Sequence, residues 1–514
     1  MIMALGIDEI KTLLNEHGLL KEVVYSEHTS FDDVTYDSRN ANPNTLFFCK
    51  GNFNPEYLTM AKDKGSTGYV SEEKYPEGNG LTQIIVNNVQ KAMSLVGAAF
   101  YRYPQNNLFV IAYTGTKGKT TSSYFAKSIL NHTTDNKTAL ISTIDTVVGN
   151  KPSQRFKSHL TTPESLDVFK YMRQAVDNGM THLVMEVSSQ AYKKNRVYGL
   201  KFDVGIFLNI SPDHIGPNEH PTFADYLHCK EQLMVNSRNC IINADTDHFA
   251  EVYGAAKSTT ELGKVYLFSR NQKQVNGIDV DFQFSSIADT INSNEIRVIA
   301  NTDKAKQMNL EDDYKIAVAG DYNESNAMSA LIATKLANAT VKEAQEGLFN
   351  VFVPGRMESY DAGNHGTVYV DYAHNYASMH ALLGFLKANN ADGKVIVVVG
   401  SPGNKGEDRR EGFGKALSEN ADVAFLTTDD PAFEDPKDIV NEIDSYVDHD
   451  KVEVHKELDR RLAIKKAIYA GDNNAMIVVA GKGRDPYQKI NGVDTPYETD
   501  SVVVQNVLKG IENE

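Results

Sequence analysis

Residues 108–130 read LFVIAYTGTKGKTTSSYFAKSIL. A continuous apolar run comes first, as in a strand buried on both faces. A glycine loop follows, from Thr114 through Gly115, Thr116, Lys117, Gly118, Lys119 and Thr120 to Thr121, and then helical spacing from Thr120 to Leu130. Strand, glycine loop and helix in that order make a phosphate cradle, because backbone N–H groups and the helix N-terminus face the anion. Lys119 is placed to reach β- and γ-phosphates, and the Thr120 hydroxyl to ligate Mg²⁺. The common spacing GxxxxGK[ST] requires glycine at position 113, where this chain has Tyr113, so the loop is the shorter GxxGKT. The competing reading is a chance GKT in a surface loop.

Outward from this loop the texture stays α/β. Strands are expected at Thr181 to Val187 and Phe202 to Ile210, and alternation with helices implies a parallel sheet. The stretch from about Gly263 to Asp313 is more polar and strand-like, an excursion of this region. KIAVAG (residues 315–320) then leads into a helix from Glu324 to Ala337. A further unit begins near Pro354 and Gly355. Its strands, at Thr367 to Tyr372, Lys394 to Gly400, Val423 to Thr427 and Ala475 to Ala480, read as a second doubly wound sheet. Before the loop, TYDSRNANPNTLFFCKG (residues 35–51) reads as a turn holding Asp37, Ser38 and Arg39, then a strand. Helical spacing covers Val89 to Tyr101, and Pro104 to Asn107 form a polar break suited to a linker. The expected fold class is α/β with three domains, 1–107, 108–350 and 351–514. The central one is a P-loop-type parallel-sheet ATPase domain and the last is Rossmann-like.

Composition narrows the function classes. The chain has 514 residues, 41% of them hydrophobic, which fills cores and excludes wholesale disorder. Cys49, Cys229 and Cys240 are too few for a disulfide framework and lack zinc-site spacing, so a reducing, cytoplasmic setting is expected. The N-terminus reads as an amphipathic helix rather than a signal peptide. The apolar runs, such as Val395 to Val399, are strand-sized, so no membrane insertion is expected. A formal charge of −16 argues against nucleic acid, but a local loop can still bind a small anion.

Two more segments carry chemistry. MEVSSQ puts Glu186 at the end of an apolar strand, as a solvated end or a metal ligand. NISPDHIGPNEHPTF puts Asp213 and His214 at the C-terminal end of the next strand. Ligands gather at that edge of open α/β sheets, so Thr120, Glu186 and His214 suit an Mg²⁺ clamp beside phosphate. His182, His220 and His228 lack such a context, and solvated or core roles are expected of them.

GTKGKTT, TTPES, MEVSSQ, NISPDH, Lys230 in HCKEQL, GDYNESN, PGRME, DYAH and GKGRDPYQ together resemble, in order, the Mur ligases. These are the ATP-dependent amide-forming enzymes of peptidoglycan precursor synthesis. Within the family the chain is most similar to the ligases that add a diamino acid to UDP-N-acetylmuramoyl-L-alanyl-D-glutamate, and to the L-lysine-adding subgroup. The resemblance implies ATP, two Mg²⁺ sites and an acyl phosphate route. It implies that Ser38 contacts the uridine nucleotide, and that Thr161, Thr162, Ser188 and Arg196 hold the UDP-muramoyl dipeptide. It implies that Lys230 is carbamylated and joins Glu186 and His214 around metal, that Asn323 and Asn326 lie near adenine, and that Arg356 reaches the nucleotide. A monomer is expected. Departures from the family pattern are Lys117 for Asn, Tyr376 for Pro, and Arg484 with Asp485 for His-Glu. Folate polyglutamylation shares fold and ATP chemistry but leaves the DSR turn unexplained. A P-loop NTPase without an acceptor is the alternative of another class.

TTDDPAFEDPK (residues 427–437) bears on the amino acid. Diaminopimelate enzymes carry DNPR here, whose arginine clamps the second carboxylate. This chain has Asp429, Asp430, Pro431 and Ala432. Alanine cannot hold a carboxylate, and Asp430, Glu434 and Asp435 favour an ammonium, which points to L-lysine. L-Ornithine, one methylene shorter, differs by only about 1–3 kcal/mol in a pocket, and meso-diaminopimelate stays the other alternative. A solvated turn is the bland reading of the same residues.

Overall fold

The computed structural model describes residues 4–216, 219–290, 293–318, 320–389, 393–404, 406 and 408–511. Pro217 and Asn218 of the NISPDHIGPNEHPTF segment, and Ala319 of KIAVAG, lie outside the described residues. The chain forms two compact units. One comprises Met1–Ser285, Arg297–Tyr314 and Ser325–Leu348; the other comprises Ser286–Ile296, Lys315–Glu324 and Phe349–Glu514.

The first unit contains a five-stranded sheet made of β1 (Leu20–Val24), β2 (Asp33–Thr35), β3 (Thr45–Phe48), β4 (Gly68–Ser71) and β5 (Thr82–Val86), in the order β1-β5-β4-β3-β2. β2 to β5 pair in parallel and β1 closes the edge antiparallel. The DSR turn leaves the C-terminal end of β2. The Asp37 side chain accepts from the Arg39 N–H and caps a single 3₁₀ turn, Ser38–Asn40.

The large sheet starts with β6 (Phe109–Thr114). β7 (Thr138–Ile141), β8 (Thr146–Val147) and β9 (Arg155–Phe156) lie on one side of it, beyond β10 (His182–Glu186). β11 (Phe202–Phe207), β12 (Ser237–Asn243) and β13 (Val265–Ser269) follow on the other, giving the order β9-β8-β7-β10-β6-β11-β12-β13. β7, β10, β6, β11, β12 and β13 are all parallel, and most of their length is buried, as in a sheet covered on both faces. β14 (Phe282–Thr290), β15 (Ser293–Ala300) and β16 (Asp313–Ile316) complete it at the β13 edge. The expected excursion from Gly263 therefore supplies sheet: Val-Tyr-Leu-Phe-Ser of β13 is fully buried, a β-branched and aromatic run that outweighs the polar residues after it.

α1 (Ile7–Glu16) and α3 (Val89–Phe100) share one apolar core with α5 (Ser165–Asp177) and the large sheet; α2 (Pro55–Asp63) covers the other face of the small sheet. α3 buries ten of its twelve residues. Gly97 allows its approach to α5, since a Cβ there would sit 2.8 Å from Leu166 Cδ2. The polar break Pro104–Asn107 is a 3₁₀ turn with Pro104 buried, flanked by buried Tyr101 and Leu108, so it is packed rather than a free linker.

The second unit holds a six-stranded sheet. β17 (Glu358–Asp361) pairs antiparallel with β18 (Thr367–Asp371); β19 (Val395–Val399), β20 (Val423–Leu426), β21 (Glu453–Lys456) and β22 (Met476–Ala480) run parallel with it, in the order β17-β18-β22-β19-β20-β21. A two-stranded hairpin, β23 (Tyr487–Ile490) and β24 (Val493–Pro496), follows. Among the described residues, no helix is long and apolar enough to cross a membrane.

Candidate active site

The phosphate loop joins β6 to α4 (Lys119–Thr133). Gly118 is demanded twice: its φ is +83°, and a Cβ would collide with Asn326 Oδ1. Asn326 in turn accepts from the Ser122 hydroxyl. The loop is tied to the end of β11. Thr116 N–H donates to Asn209 O at 3.0 Å, Lys117 N–H to Asn209 Oδ1 at 2.9 Å, and Asn209 Nδ2 returns a bond to Lys117 O. Thr116 Oγ1 meets Ser211 N–H at 3.0 Å and the Tyr226 hydroxyl at 3.0 Å. An open glycine cradle, fixed from behind and followed by a helix N-terminus, fits a nucleotide phosphate.

β10 lies beside β6, with Glu186 in register with Tyr113. The Glu186 carboxylate is wholly buried. Its Oε1 accepts from Thr120 Oγ1 and Thr143 N–H, each at 2.9 Å, and its Oε2 from Thr143 Oγ1 at 3.1 Å. Among the described contacts this buried carboxylate has only neutral hydrogen-bond donors. With the Thr120 hydroxyl it forms an oxygen donor set of the kind a hard divalent cation takes. Thr143 Oγ1 lies 3.0 Å from Thr161 Oγ1, and Thr162 Oγ1 donates to Glu186 O at 3.0 Å and accepts from Ser188 N–H. Ser188 caps α6 (Ser189–Lys193). Arg196 donates to Thr162 O and to Glu164 Oε1, at 3.3 and 3.2 Å. The structure thus brings Thr120, Thr161, Thr162, Glu186, Ser188 and Arg196 into one connected edge.

Lys230 projects from α7 (Phe223–Val235), is 2% exposed, and donates to Gly115 O at 2.7 Å. Lys119 donates to the same carbonyl at 2.7 Å. Burial, then the neighbouring Lys119 charge, drives the Lys230 ammonium well below the ordinary lysine pKa. Its Nζ lies 4.7 Å from the Tyr226 ring centroid. His214 is half exposed, with φ +54°; its Nδ1 pairs with Glu219 Oε1 at 2.6 Å, and Nε2 lies 4.0 Å from Asp213 Oδ2. Among the described contacts it faces these carboxylates rather than Glu186. His220, expected to be solvated or core, is fully buried between Asp225 and Ser189.

Three anchors escaped the sequence reading: Thr143, Asn209 and Tyr226. Tyr226 carried a signal, because it precedes Lys230 by one helical turn on the same face. Asn209 sits inside a quoted motif. Thr143 is a short polar residue in a loop, with nothing in the sequence to mark it.

Ser38 is buried in the 3₁₀ turn after β2, in the first unit; the candidate residues of the second unit are Asn323, Arg356 and the 429–432 loop. Asn323 is 2% exposed. Arg356 stacks on the Tyr372 ring, centroid distance 5.3 Å. The loop corrects the simple charge argument. Lys482, 2% exposed, donates to Asp430 Oδ1 at 2.7 Å and Asp429 Oδ1 at 3.4 Å, with Asp485 Oδ2 at 3.7 Å. Glu434 pairs with Arg410 at 2.8 Å, and Asp435 caps a helix at Lys437 N–H. Three of the acidic residues credited with attracting an ammonium are therefore partly spent on the protein's own donors. Burial opposes the Lys482 charge, but Asp429, Asp430 and Asp485 outweigh it and hold the ammonium above its usual range. Ala432, at φ +53°, donates to Lys489 O at 2.9 Å. Arg484, where the family commonly has His, grips Glu358 with two nitrogens at 2.7 and 3.1 Å.

A parallel-sheet phosphate loop with a buried carboxylate and a buried lysine on its edge has the parts of a nucleotide-dependent phosphoryl-transfer enzyme. Residues 113–334 match the Mur ligase middle domain and residues 355–483 the Mur ligase glutamate ligase domain. A UDP-N-acetylmuramyl-tripeptide synthetase of Ligilactobacillus salivarius (strain UCC118) is 60% identical, the match covering 99% of this chain and 100% of that one. A UDP-N-acetylmuramoyl-L-alanyl-D-glutamate–L-lysine ligase of Enterococcus faecalis (strain ATCC 700802 / V583) is 46% identical, over 98% of this chain and 99% of that one. A solved UDP-N-acetylmuramoyl-L-alanyl-D-glutamate–2,6-diaminopimelate ligase shares the fold, with a TM-score of 0.66 and 22% identity over 99% of this chain and all of the other. The chain belongs to the Mur ligase family. It is an ATP-dependent acid–amino-acid ligase.

Proposed function

We propose that this ligase adds L-lysine to the D-glutamate of UDP-N-acetylmuramoyl-L-alanyl-D-glutamate, releasing ADP and phosphate, in the cytoplasm and as a monomer. Residues 1–107 would take the nucleotide end of that substrate, 108–350 ATP, and 351–514 the amino acid. The observation that carries the reading is the pair of lysines on Gly115 O beside the Thr120–Glu186 bond. It concentrates cationic and anionic machinery where a carboxylate must meet a γ-phosphate.

Gly115, Thr116, Lys117, Gly118, Lys119, Thr120 and Thr121 would cradle the ATP phosphates, with Asn323, Asn326 and Arg356 around the rest of the nucleotide. Lys119 would leave the loop carbonyls to neutralise charge on the transferred phosphoryl group. The substrate carboxylate displaces ADP from the γ-phosphorus and becomes an acyl phosphate. The lysine amine then attacks its carbonyl carbon, phosphate leaves, and the amine loses a proton. Thr120, Glu186, His214 and carbamylated Lys230 would hold two Mg²⁺, which supply charge neutralisation between phosphate and carboxylate oxygens. Burial disfavours the Lys230 ammonium; the amine, once deprotonated, would add CO₂ and lose a second proton, giving an anionic oxygen ligand. Ser38, Thr161, Thr162, Ser188 and Arg196 would hold the UDP-muramoyl dipeptide. Asp429, Asp430, Pro431 and Ala432 would line the amino-acid site. Asp429, Asp430 and Asp485 gather around Lys482, and an acidic lining of this kind would favour a cation over a second carboxylate.

The test is phosphate release with Mg-ATP and the UDP-muramoyl dipeptide, with no amino acid, L-lysine, L-ornithine or meso-diaminopimelate. Release that depends on L-lysine, with a tripeptide of matching mass, is the expected result. Preference for ornithine or diaminopimelate would overturn the amino-acid assignment. Release indifferent to both acceptors would return the NTPase reading.

A further inference from the structure

Lys50 lies in the first unit, just beyond the C-terminal end of β3, and its side chain is only 18% exposed. Its ammonium is 3.1 Å from Glu164 Oε2 and 4.6 Å from the centroid of the Tyr36 ring. The other oxygen of Glu164 takes Arg196 Nε at 3.2 Å. Glu164, itself 12% exposed, is thus clamped between one cation from the small sheet and one from the large. Glu164 is also the residue that opens α5, and it directly follows Thr161, Thr162 and Pro163. On the small-sheet side, Tyr36 precedes Asp37 and Ser38, and its hydroxyl donates to Asp167 Oδ2 at 2.6 Å. Asp167 lies in the first turn of α5. Burial raises the Asp167 carboxyl above its usual range. Lys50 and Arg196 thus meet one carboxylate, that of Glu164, each on its own oxygen.

We infer that Lys50, with Tyr36, is a positioning residue that sets the DSR turn against the TTPES segment, so that one anionic nucleotide-peptide can span Ser38 and Thr161–Arg196. Two loops from different sheets must hold opposite ends of one extended ligand, and on the shared apolar core the polar bridge between them fixes the local span. The bridge is half charge pair, half aromatic platform. Lys50 needs both: its ammonium grips Glu164, while the Tyr36 ring takes its other face as a cation–π partner. Tyr36 then anchors to α5 by its hydroxyl, so the turn that follows it cannot slide relative to the helix. A misplacement of about an ångström at one end weakens binding of the whole ligand without touching the phosphate loop. Lys50 acts through Glu164 and Tyr36, not on reacting atoms.

This inference rests on the UDP-muramoyl dipeptide being the substrate, and steady-state kinetics of the purified enzyme test both. Lys50→Met and Tyr36→Phe are assayed with that dipeptide, ATP and L-lysine varied in turn. Lys50→Met should raise the KM for the dipeptide about tenfold, the loss expected when a half-buried charge pair is cut. The KM for ATP and kcat at saturation should stay within about twofold, and Lys50→Arg should recover most of the loss. Tyr36→Phe keeps the ring and loses the Asp167 bond, and should raise the same KM by a smaller factor. An unchanged dipeptide KM in Lys50→Met, or equal changes in all three substrate KM values, overturns the inference. A fall in kcat alone does so too, since that is what partial unfolding gives. A wild-type enzyme that ignores the dipeptide removes the substrate reading itself, which is a different result from an active wild type with an indifferent Lys50→Met.

Discussion

Lys230 and Lys482 are both 2% exposed lysines at the edge of a parallel sheet, and their surroundings drive them in opposite directions. Lys230 meets a carbonyl and a second lysine, and its charge is disfavoured. Lys482 meets Asp429, Asp430 and Asp485, and its charge is held. Burial is the same; the neighbours decide. An ammonium that the fold disfavours is available for chemistry. One matched by three carboxylates is a counter-ion that keeps an acidic loop from flying apart.

The same substitution at both sites sharpens this contrast. Lys230→Met should lower kcat by about a thousandfold or more, as losses of groups at a transferring phosphoryl commonly do, while phosphate-release assays of Lys482→Met retain measurable turnover. Wild-type turnover from a folded Lys230→Met would break the comparison. In urea unfolding the order reverses. Lys482→Met should lose about 3 kcal/mol of stability, because the buried Asp429 and the partly buried Asp430 lose the ammonium they share. In CO₂-depleted buffer, Lys230→Met should gain about 1 kcal/mol, since an unfavourable buried amine gives way to an apolar side chain of similar length. Two losses of similar size would mean that Lys230 is an ordinary core residue.

Lys127 on α4 is an intermediate case. Burial first, then Arg155, pushes its ammonium down to about 8, and Asp145 only partly offsets this. The folded value lies below the unfolded one, so the unfolded state binds more protons between about 8 and the ordinary lysine value. The destabilisation is complete below about 8 and is relieved as pH rises through that window. Lys127→Met should therefore flatten the rise in melting temperature from pH 8 to 10, a contribution of roughly 1–2 kcal/mol. An unchanged slope would show that water reaches this ammonium in the folded protein.

Much of the fold was legible because its strands are fully buried. Val395–Val399 and His182–Glu186 announce themselves as apolar runs whatever surrounds them. Short edge strands such as Glu358–Asp361 and Glu453–Lys456, and the exposed hairpin Tyr487–Pro496, carry no such run and were not legible. At the candidate site, residues inside glycine or carboxylate motifs stood out. Thr143 did not, since a hydroxyl acquires meaning only from the carboxylate it faces.

The sequence by itself determined the phosphate loop, the alternation that makes parallel sheets, and the ordered motifs of a Mur ligase. These depend on local spacing, which the chain carries wherever it folds. Tertiary structure decided which charges meet. That Lys230 shares a carbonyl with Lys119, that Lys482 gathers three carboxylates, and that Lys50 reaches Glu164 across 114 positions of chain are facts of proximity. Coulomb energies depend on distance and on the water excluded around each pair, and neither is written in the order of the residues.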